Sequence, residues 1–192
     1  MAQRSIFISA GHTNVAGMDR GASGNGYFEG DLTHELRDLI VKYLKDFHSI
    51  KAEADANNTT LEKTLTWIKH LTTPRCIVFD IHFNAATAQA EGVECFIPQK
   101  YTQFELGLAE GLANAVVKQT AFKKRGSTAG KAGVKDETQS ARKRLGWMSV
   151  VGENVLLEVC FITNKQEMEV YQLQKKQIAR EIAKVLAEWS KK

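Results

Sequence analysis

The sequence predicts an α/β domain with an open, mostly parallel twisted sheet of about five to six strands and helices on both faces. Apolar, β-branched runs typical of strands alternate with helix-spaced apolar residues along most of the chain. The length of 192 residues suits one domain with one core, so we expect residues 1–192 to fold as a single unit. A hydrophobic content of 43% and a charged content of 25% are ordinary for a globular protein.

The first half of the chain begins with a strand at residues 4–10, which runs into Gly11. A glycine-rich loop follows, to about Gly30. Residues 31–47 place leucine, isoleucine and aromatic side chains on one helical stripe, and Asp31 is the expected N-cap of this helix. The other elements predicted in this half are a short strand at 49–54, a helix at 60–71 and a strand at 75–84.

The second half continues the alternation of strands and helices. A strand is predicted at 92–98, ended by Pro98, and a helix at 101–120 aligns apolar residues four apart. The remaining predicted elements are a basic loop at about 121–135, a short helix at 139–147, a buried strand at 154–162 and a final helix at 164–190.

Composition excludes several classes of protein. No apolar run reaches the roughly 18 residues that a membrane-spanning helix needs, so stable membrane insertion is not expected. The N-terminal residues lack the apolar segment and the cleavage pattern of a signal peptide, which predicts synthesis in the cytoplasm without a leader. The cysteines Cys76, Cys95 and Cys160 each lie in an apolar run and form no CxxC pair, so we expect three buried free thiols.

Basic residues outnumber acidic ones, 26 to 22, which gives a net charge of +4. Lysine and arginine are concentrated in residues 123–144. Such a patch can meet an anionic polymer, a membrane surface or nucleic acid, or it can be a solvated loop. On charge alone the solvated loop is the favoured interpretation, and no nucleic-acid partner is predicted.

Polar residues fall where the predicted strands end. His12 follows the first strand, His82 ends the strand at 75–84, Glu158 lies in the strand at 154–162, and Glu29 precedes the first helix. In a parallel sheet these positions meet at one rim, where ligands bind. Two imidazoles and one carboxylate suit a catalytic zinc ion, and the apolar surroundings of Glu158 favour a raised pKa and a proton-transfer role.

Each of these residues also has an ordinary structural explanation. A histidine at a strand end is often only hydrogen-bonded, and a glutamate at a helix start is favoured by the helix dipole. The residues are far apart in the sequence, and they do not form a compact metal-binding motif such as HExxH. From the residues alone, a zinc site and a set of structural polar groups both remain open.

Four segments together resemble the zinc-dependent N-acetylmuramoyl-L-alanine amidases of the amidase type 3 family. They are ISAGHTNVAGMDRGASGNGYFEGDLTHEL, VFDIHFNA, EGVECFIP and NVLLEVCFITN, and they occur in the family order. The resemblance implies one Zn²⁺ per chain held by His12, Glu29 and His82, with Glu158 as the catalytic glutamate. It also implies that residues 1–192 form one catalytic amidase domain without a separate cell-wall-binding domain.

The activity implied by this resemblance is hydrolysis of the amide between N-acetylmuramic acid and L-alanine in peptidoglycan. With no signal peptide expected, a monomeric lytic endolysin that reaches the cell wall after the membrane is breached fits best. Two alternatives remain open at this point. They are a peptidoglycan-binding domain that does not hydrolyse its ligand, and a zinc carboxypeptidase acting on wall stem peptides.

The sequence departs from the family pattern at a few positions. Asp80 stands where a serine is usual, on the same strand face as His82, so it either orients that histidine or binds backbone or an arginine. Asn84 and Arg142 are further candidates, Arg142 as a contact for carboxylates of the substrate. His34, on the first helix, is expected to face solvent. The Thr-Arg-x-x-Asp stretch usual after the second strand is missing.

Overall fold

A computed structural model describes residues 3–57 and 59–192. Met1, Ala2 and Asn58 belong to the predicted single domain but lie outside the described residues. The helices are α1 (Glu29–His48), α2 (Leu61–Lys69), α3 (Gln103–Thr120) and α4 (Lys165–Trp189). The described residues form ten strands, which are β1 (Ile6–Ala10), β2 (Ser23–Gly24), β3 (Tyr27–Phe28), β4 (Glu53–Ala54), β5 (Ile77–Asn84), β6 (Glu94–Ile97), β7 (Ser127–Thr128), β8 (Lys131–Ala132), β9 (Val134–Asp136) and β10 (Glu153–Phe161).

Six of these strands form one sheet in the order β4-β1-β5-β10-β6-β9. All neighbouring pairs are parallel except β10 with β6. The chain leaves β1 towards β4 at one edge and then crosses back to β5 on the other side of β1. The prediction of an open, mostly parallel sheet of five to six strands is therefore confirmed. The connections to β4 and to β5 leave on opposite sides of β1, so the crevice in which such sheets bind ligands lies between the carboxyl ends of β1 and β5.

Helices cover the two faces of the sheet unequally. The larger core lies under α1, α3 and α4, and it includes Ile8, Phe79 and Leu157 of the central strands. The smaller core, on the opposite face, joins Val78 and Leu156 to α2 and to a short 3₁₀ turn at Gly146–Ser149. Side chains alternate between faces along a strand, so this smaller core also marks the face on which Asp80, His82 and Glu158 lie.

The start of α1 differs from the prediction. The helix begins at Glu29, its N-cap is Phe28, and no side chain in the described part of the protein caps it. The backbone amides of Glu29 and Gly30 instead donate to the carbonyl oxygens of Ala22 and Arg20 in the glycine-rich loop. Since the loop already satisfies these amides, Asp31 is not an N-cap, and its carboxylate pairs with Arg20.

Two other segments also differ. Residues 139–147 are not a helix, because Lys143 has a left-handed backbone with φ of 56°, and the region forms 3₁₀ turns at Glu137–Gln139 and Gly146–Ser149. The basic segment is not simply a solvated loop. It contains the β7–β8 hairpin and the edge strand β9, and ion pairs bind several of its cations, namely Lys123 with Glu91, Lys131 with Glu110, and both Arg125 and Lys135 with Glu94.

The cysteines agree with the sequence prediction, since Cys76, Cys95 and Cys160 are buried and free. Within the described part of the chain, no helix has the length and apolar character needed to cross a bilayer.

Candidate metal centre

The site lies at the carboxyl ends of β1 and β5, where His12, Glu29 and His82 come together. One ligand atom from each of the three lies within 4.8 Å of the others. Glu29 stands between the two rings: its Oε2 is 3.4 Å from Nε2 of His12, and its Oε1 is 2.9 Å from Nδ1 of His82. The three residues that the sequence predicts as metal ligands are thus brought into one group.

Local backbone geometry positions His12. This residue has φ of 67°, a left-handed conformation that a residue with a side chain adopts at a cost and that is common at functional sites. The preceding Gly11 lies directly against the ring of His82, and a Cβ added there would be 2.4 Å from the ring carbon Cε1. The Gly-His sequence therefore lets the end of β1 approach His82 closely while turning the His12 side chain towards Glu29.

Backbone donors fix the position of the Glu29 carboxylate, and the two histidines keep it ionised. Its Oε1 accepts from the amide of Phe83 at 3.1 Å and its Oε2 accepts from the amide of Ala22 at 2.9 Å. Burial raises the pKa of Glu29, but His82 and His12 outweigh this effect, and the net shift is downward. A charged, fixed carboxylate is the form that ligates a metal ion.

Each histidine turns its second ring nitrogen towards an aspartate. Nδ1 of His12 lies 3.2 Å from Oδ2 of Asp19, and Nε2 of His82 lies 3.1 Å from Oδ2 of Asp80. Burial lowers the pKa of His82, but Asp80 and Glu29 outweigh it and raise that pKa well above its usual value. A carboxylate behind an imidazole fixes the tautomer that points the other nitrogen at a metal, so both histidines have the support that metal ligands usually have.

Glu158 lies beside the three-residue group on the neighbouring strand. It is in register with His82 on β5 and with Glu94 on β6, so the three side chains form a row across one face of the sheet. Its Oε2 is buried and has no hydrogen-bond partner among the described residues. Burial raises the pKa of Glu158 to about 8, and the carboxylates of Glu29 and Glu94 raise it as well, against the effect of His82. This carboxyl group is suited to accept and release a proton near neutral pH.

The other predicted site residues occupy different places. Asn84 ends β5 and donates from Nδ2 to Oε1 of Glu94 at 2.9 Å. Arg142 is exposed, and it is close enough to Asp19 to contribute to the lowered pKa of that residue, which is chiefly due to the Gly21 amide. His34 does not face solvent as expected. It is buried, with Nδ1 2.6 Å from the carbonyl oxygen of Gly30, so it is not part of the rim.

Several residues of the site were not identified from the sequence. Asp19 supports His12, and Glu94 continues the row beyond Glu158. A buried pair, Arg37 and Asp55, lies behind β1, and Oδ1 of Asp55 accepts from the amide of Ala10 at 3.1 Å. A glutamate inside the apolar run VECFI was the available signal for Glu94. Arg37, on α1, could not be identified from the sequence, because its partner Asp55 is distant along the chain.

An open α/β sheet that holds two imidazoles and one carboxylate beside an unpartnered carboxyl group is typical of zinc-dependent hydrolases. The family model of N-acetylmuramoyl-L-alanine amidase matches residues 6–188, and the chain belongs to this family.

Comparison with individual proteins is consistent with this assignment. The chain is 29% identical over 100 residues to the uncharacterized protein YqiI of Bacillus subtilis, a match that covers 51% of this chain and 46% of the relative. The match thus spans about half the length of that curated relative.

Among solved structures, the N-acetylmuramoyl-L-alanine amidase of Clostridium difficile 630 superposes with a TM-score of 0.76 at 18% identity, over 98% of this chain and 97% of the other. The catalytic domain of the CD27L endolysin targeting Clostridia Difficile gives a TM-score of 0.72 at 17% identity, over 96% and 97% of the two chains. At these identities the two structures support the fold.

Proposed function

We propose that this chain is a zinc-dependent amidase that hydrolyses the bond between N-acetylmuramic acid and L-alanine in peptidoglycan. The observation that carries the proposal is the position of Glu158, in register with His82 of the His12–Glu29–His82 group. One oxygen of its carboxyl group is buried and has no partner among residues 3–57 and 59–192. Family membership supports the choice of substrate.

In this proposal His12, Glu29 and His82 hold one Zn²⁺. The donor set fits the metal, since it offers two imidazole nitrogens and one carboxylate oxygen and leaves a fourth position for water or substrate. When bound, zinc would polarise the scissile carbonyl and make water more acidic. Asp19 and Asp80 keep the two rings oriented from behind.

Glu158 moves the proton in the proposed reaction. As a carboxylate it takes a proton from the attacking water, and as a carboxylic acid it gives that proton to the leaving amine of L-alanine. A pKa of about 8 in the metal-free site will fall when a cation is bound nearby, which brings the group closer to the ionised state that the first step needs. Arg142, exposed near Asp19, is proposed as a substrate contact, and Asn84 acts through Glu94.

We further propose that residues 1–192 are one catalytic domain that works as a monomer, and that its role is lytic, as in an endolysin. All the proposed site residues come from a single chain, so the site is complete without a second copy. The fold likeness to an endolysin catalytic domain supports the lytic role. Gel filtration tests the first point, and the turbidity of permeabilised cells after addition of the protein tests the second.

The central experiment is digestion of purified peptidoglycan by the zinc-loaded protein, with chemical analysis of the products. We expect new amino termini of L-alanine and glycan strands without stem peptides. Released D-alanine instead would identify a carboxypeptidase, and binding without any product would identify a wall-binding domain. Removal of zinc by a chelator should abolish cleavage and its return should restore it, and activity that survives complete removal would contradict the metal mechanism.

A further inference from the structure

The row of side chains that begins at His82 and Glu158 ends in a cluster of cations. Glu94, the third member of the row, is 3% exposed. Its Oε2 accepts from Nε of Arg125 at 3.0 Å and from Nζ of Lys135 at 2.6 Å. Its Oε1 accepts from Asn84, so the carboxylate is fully used in holding neighbours. We call Glu94 and the two cations that it holds, Arg125 and Lys135, the cationic cluster.

The position of Arg125 is set by both backbone and side-chain contacts. The backbone at residues 123–125 pairs with Val93, since the Val93 amide donates to the carbonyl of Lys123 and the Arg125 amide donates to the carbonyl of Val93. The side chain donates from Nη1 to the carbonyl of Glu91 at 3.1 Å, and its guanidinium lies 4.8 Å from the centre of the Phe161 ring. A guanidinium held in this way loses little entropy when it binds a further group.

Two glycines make room for the aliphatic parts of the two cations. Gly92 has φ of +110°, and a Cβ added there would be 2.8 Å from Cγ of Arg125. Gly126 has φ of +72°, and a Cβ there would be 2.5 Å from Cε of Lys135. Both cationic side chains are therefore closely packed along their length, which distinguishes them from mobile surface lysines.

The cluster keeps donors available for a ligand. Within the described residues, Nη2 of Arg125 has no hydrogen bond, and the ammonium of Lys135 donates only to Glu94. Glu167 is also near Arg125, but its two oxygens accept from the amides of Gly92 and Phe161. The side chain of Arg125 is 38% exposed, so its free donors can be reached from solvent.

We propose that Arg125 and Lys135, held by Glu94, form a subsite for a carboxylate on the peptide side of the scissile bond. The inference rests on the proposed amidase function. In a muramoyl peptide the carboxyl of muramic acid is consumed in the amide, so the anions lie on the stem peptide. His82 and Glu94 are two strand spacings apart in the sheet, about 10 Å. Two extended residues of a stem peptide span about 7 Å. The remaining distance of about 3 Å is that of one hydrogen bond, so the carboxylate of the second stem residue comes within reach of the donors of the cluster.

The test compares two small substrates that differ in one group. Both are N-acetylmuramoyl dipeptides whose second residue has its γ-carboxyl blocked as a methylamide: in the acid, L-alanyl-D-glutamate, the α-carboxylate is free, and in the isoglutamine compound the α-carboxyl is a neutral amide. For the zinc-loaded protein we expect kcat/KM to be about tenfold higher for the acid, since one charge-assisted hydrogen bond is at stake. In Arg125→Gln the ratio should fall towards unity, and Arg125→Lys should keep part of it.

The ratio of two substrates on one protein sample does not depend on how much of that sample is folded. Lys123→Gln is the matched control, because Lys123 is an exposed cation two residues away that pairs with Glu91, and it should keep the wild-type ratio. An equal kcat/KM for the two compounds, or an unchanged ratio in Arg125→Gln, would overturn the subsite.

The subsite and the proposed function fail in different ways. If the wild type cleaves intact peptidoglycan but does not distinguish the two compounds, the subsite alone is wrong. If it cleaves nothing, the proposed function is wrong, and the subsite is then judged by calorimetric binding of the same two compounds to the zinc-loaded protein. Tighter binding of the acid, lost in Arg125→Gln, supports the subsite, and equal binding overturns it.

Discussion

Asp80 accepts a hydrogen bond from His82 at 3.1 Å, and the two residues lie on the same face of β5. The Asp80 carboxylate is buried, and its second oxygen, Oδ1, has no partner in the described part of the chain. The sequence also allowed Asp80 to bind backbone or an arginine. The structure shows Asp80 bound to His82 instead.

The first prediction concerns zinc affinity. Asp80→Asn should weaken zinc binding by about 10- to 100-fold, because the amide does not fix the tautomer of His82 as a carboxylate does. Asp80→Ser, which introduces the residue expected from the family resemblance, should have a similar effect. Competition with a chromophoric chelator measures the affinity, and Asp46→Asn, on the exposed side of α1, is the control. Wild-type affinity in both variants would show that Asp80 has no part in orienting the ring.

The second prediction concerns the proton. Glu158→Gln should lower kcat on peptidoglycan by about 10²- to 10⁴-fold, the usual contribution of general acid–base catalysis. Zinc content should stay stoichiometric, since Glu158 is not among the three grouped ligands. Activity and metal analysis on the same preparation give the answer, with Glu62→Gln on α2 as the control. Full turnover in Glu158→Gln would remove this residue from the mechanism.

The third prediction is a pH dependence of stability in the metal-free protein. Burial raises the pKa of Glu158 from 4.5 to about 8, and Glu29, Glu94 and Asp80 act in the same direction against His82. Between these two pH values the folded protein keeps a proton that the unfolded chain releases. The free energy of unfolding should therefore fall as pH rises through this window.

Urea denaturation of the metal-free wild type and of Glu158→Gln at pH 5 and pH 8 isolates this contribution. The other titrating groups are common to both proteins, so the variant should gain stability relative to wild type as the pH is raised. A constant difference between the two proteins across this range would mean that Glu158 does not keep its proton.

A fourth prediction follows from the close approach of Gly11 to the His82 ring. Gly11→Ala places a methyl group 2.4 Å from Cε1, so the ring or the strand end must move. We expect a loss of about 1–3 kcal/mol in the free energy of unfolding, typical of overpacking, together with weaker zinc binding. Gly146→Ala is the control, because the nearest atom to its added methyl is the flexible end of Leu65 at 3.3 Å. If Gly11→Ala and Gly146→Ala lose the same stability and the same zinc affinity, the contact of Gly11 with His82 has no special importance.

The fifth prediction links metal binding to folding. The proposed ligands follow β1, begin α1 and lie in β5, so zinc should bind the folded chain much better than the unfolded one. At a free zinc concentration about a hundredfold above its Kd, the free energy of unfolding should rise by about 2.7 kcal/mol. Thermal denaturation of wild type and of His12→Ala with and without zinc measures this, and an equal shift in both proteins would place the metal elsewhere.

The main elements could be predicted because their patterns are long. The strand β5 shows its buried character over eight residues, and the polar Asp80 and His82 stand out against it. The pairing of β9 with β6 could not be predicted, because this strand has three residues and lies in a basic segment with no alternation. The start of α1 was misplaced because backbone carbonyls of a preceding loop satisfy its first amides, and no side-chain signal marks such a contact.

The site was partly predictable for a related reason. A charged residue inside an apolar strand costs free energy unless it has partners, so His82 and Glu158 could be singled out. Asp19 and Arg125 lie in irregular segments, where charged residues are common, and their contacts with His12 and Glu94 depend on how distant parts of the chain fold together.

The unequal covering of the sheet has a consequence for how a large polymer is attacked. The helix α2 and the Gly146–Ser149 turn cover the half of the face that bears Val78 and Leu156, while His82 and Glu158 remain partly exposed. In the proposed amidase this exposure would let a glycan strand approach from the side, without being threaded from an end. For the proposed amidase, stem peptides in the middle of a long glycan strand would then be as accessible as those at its tips.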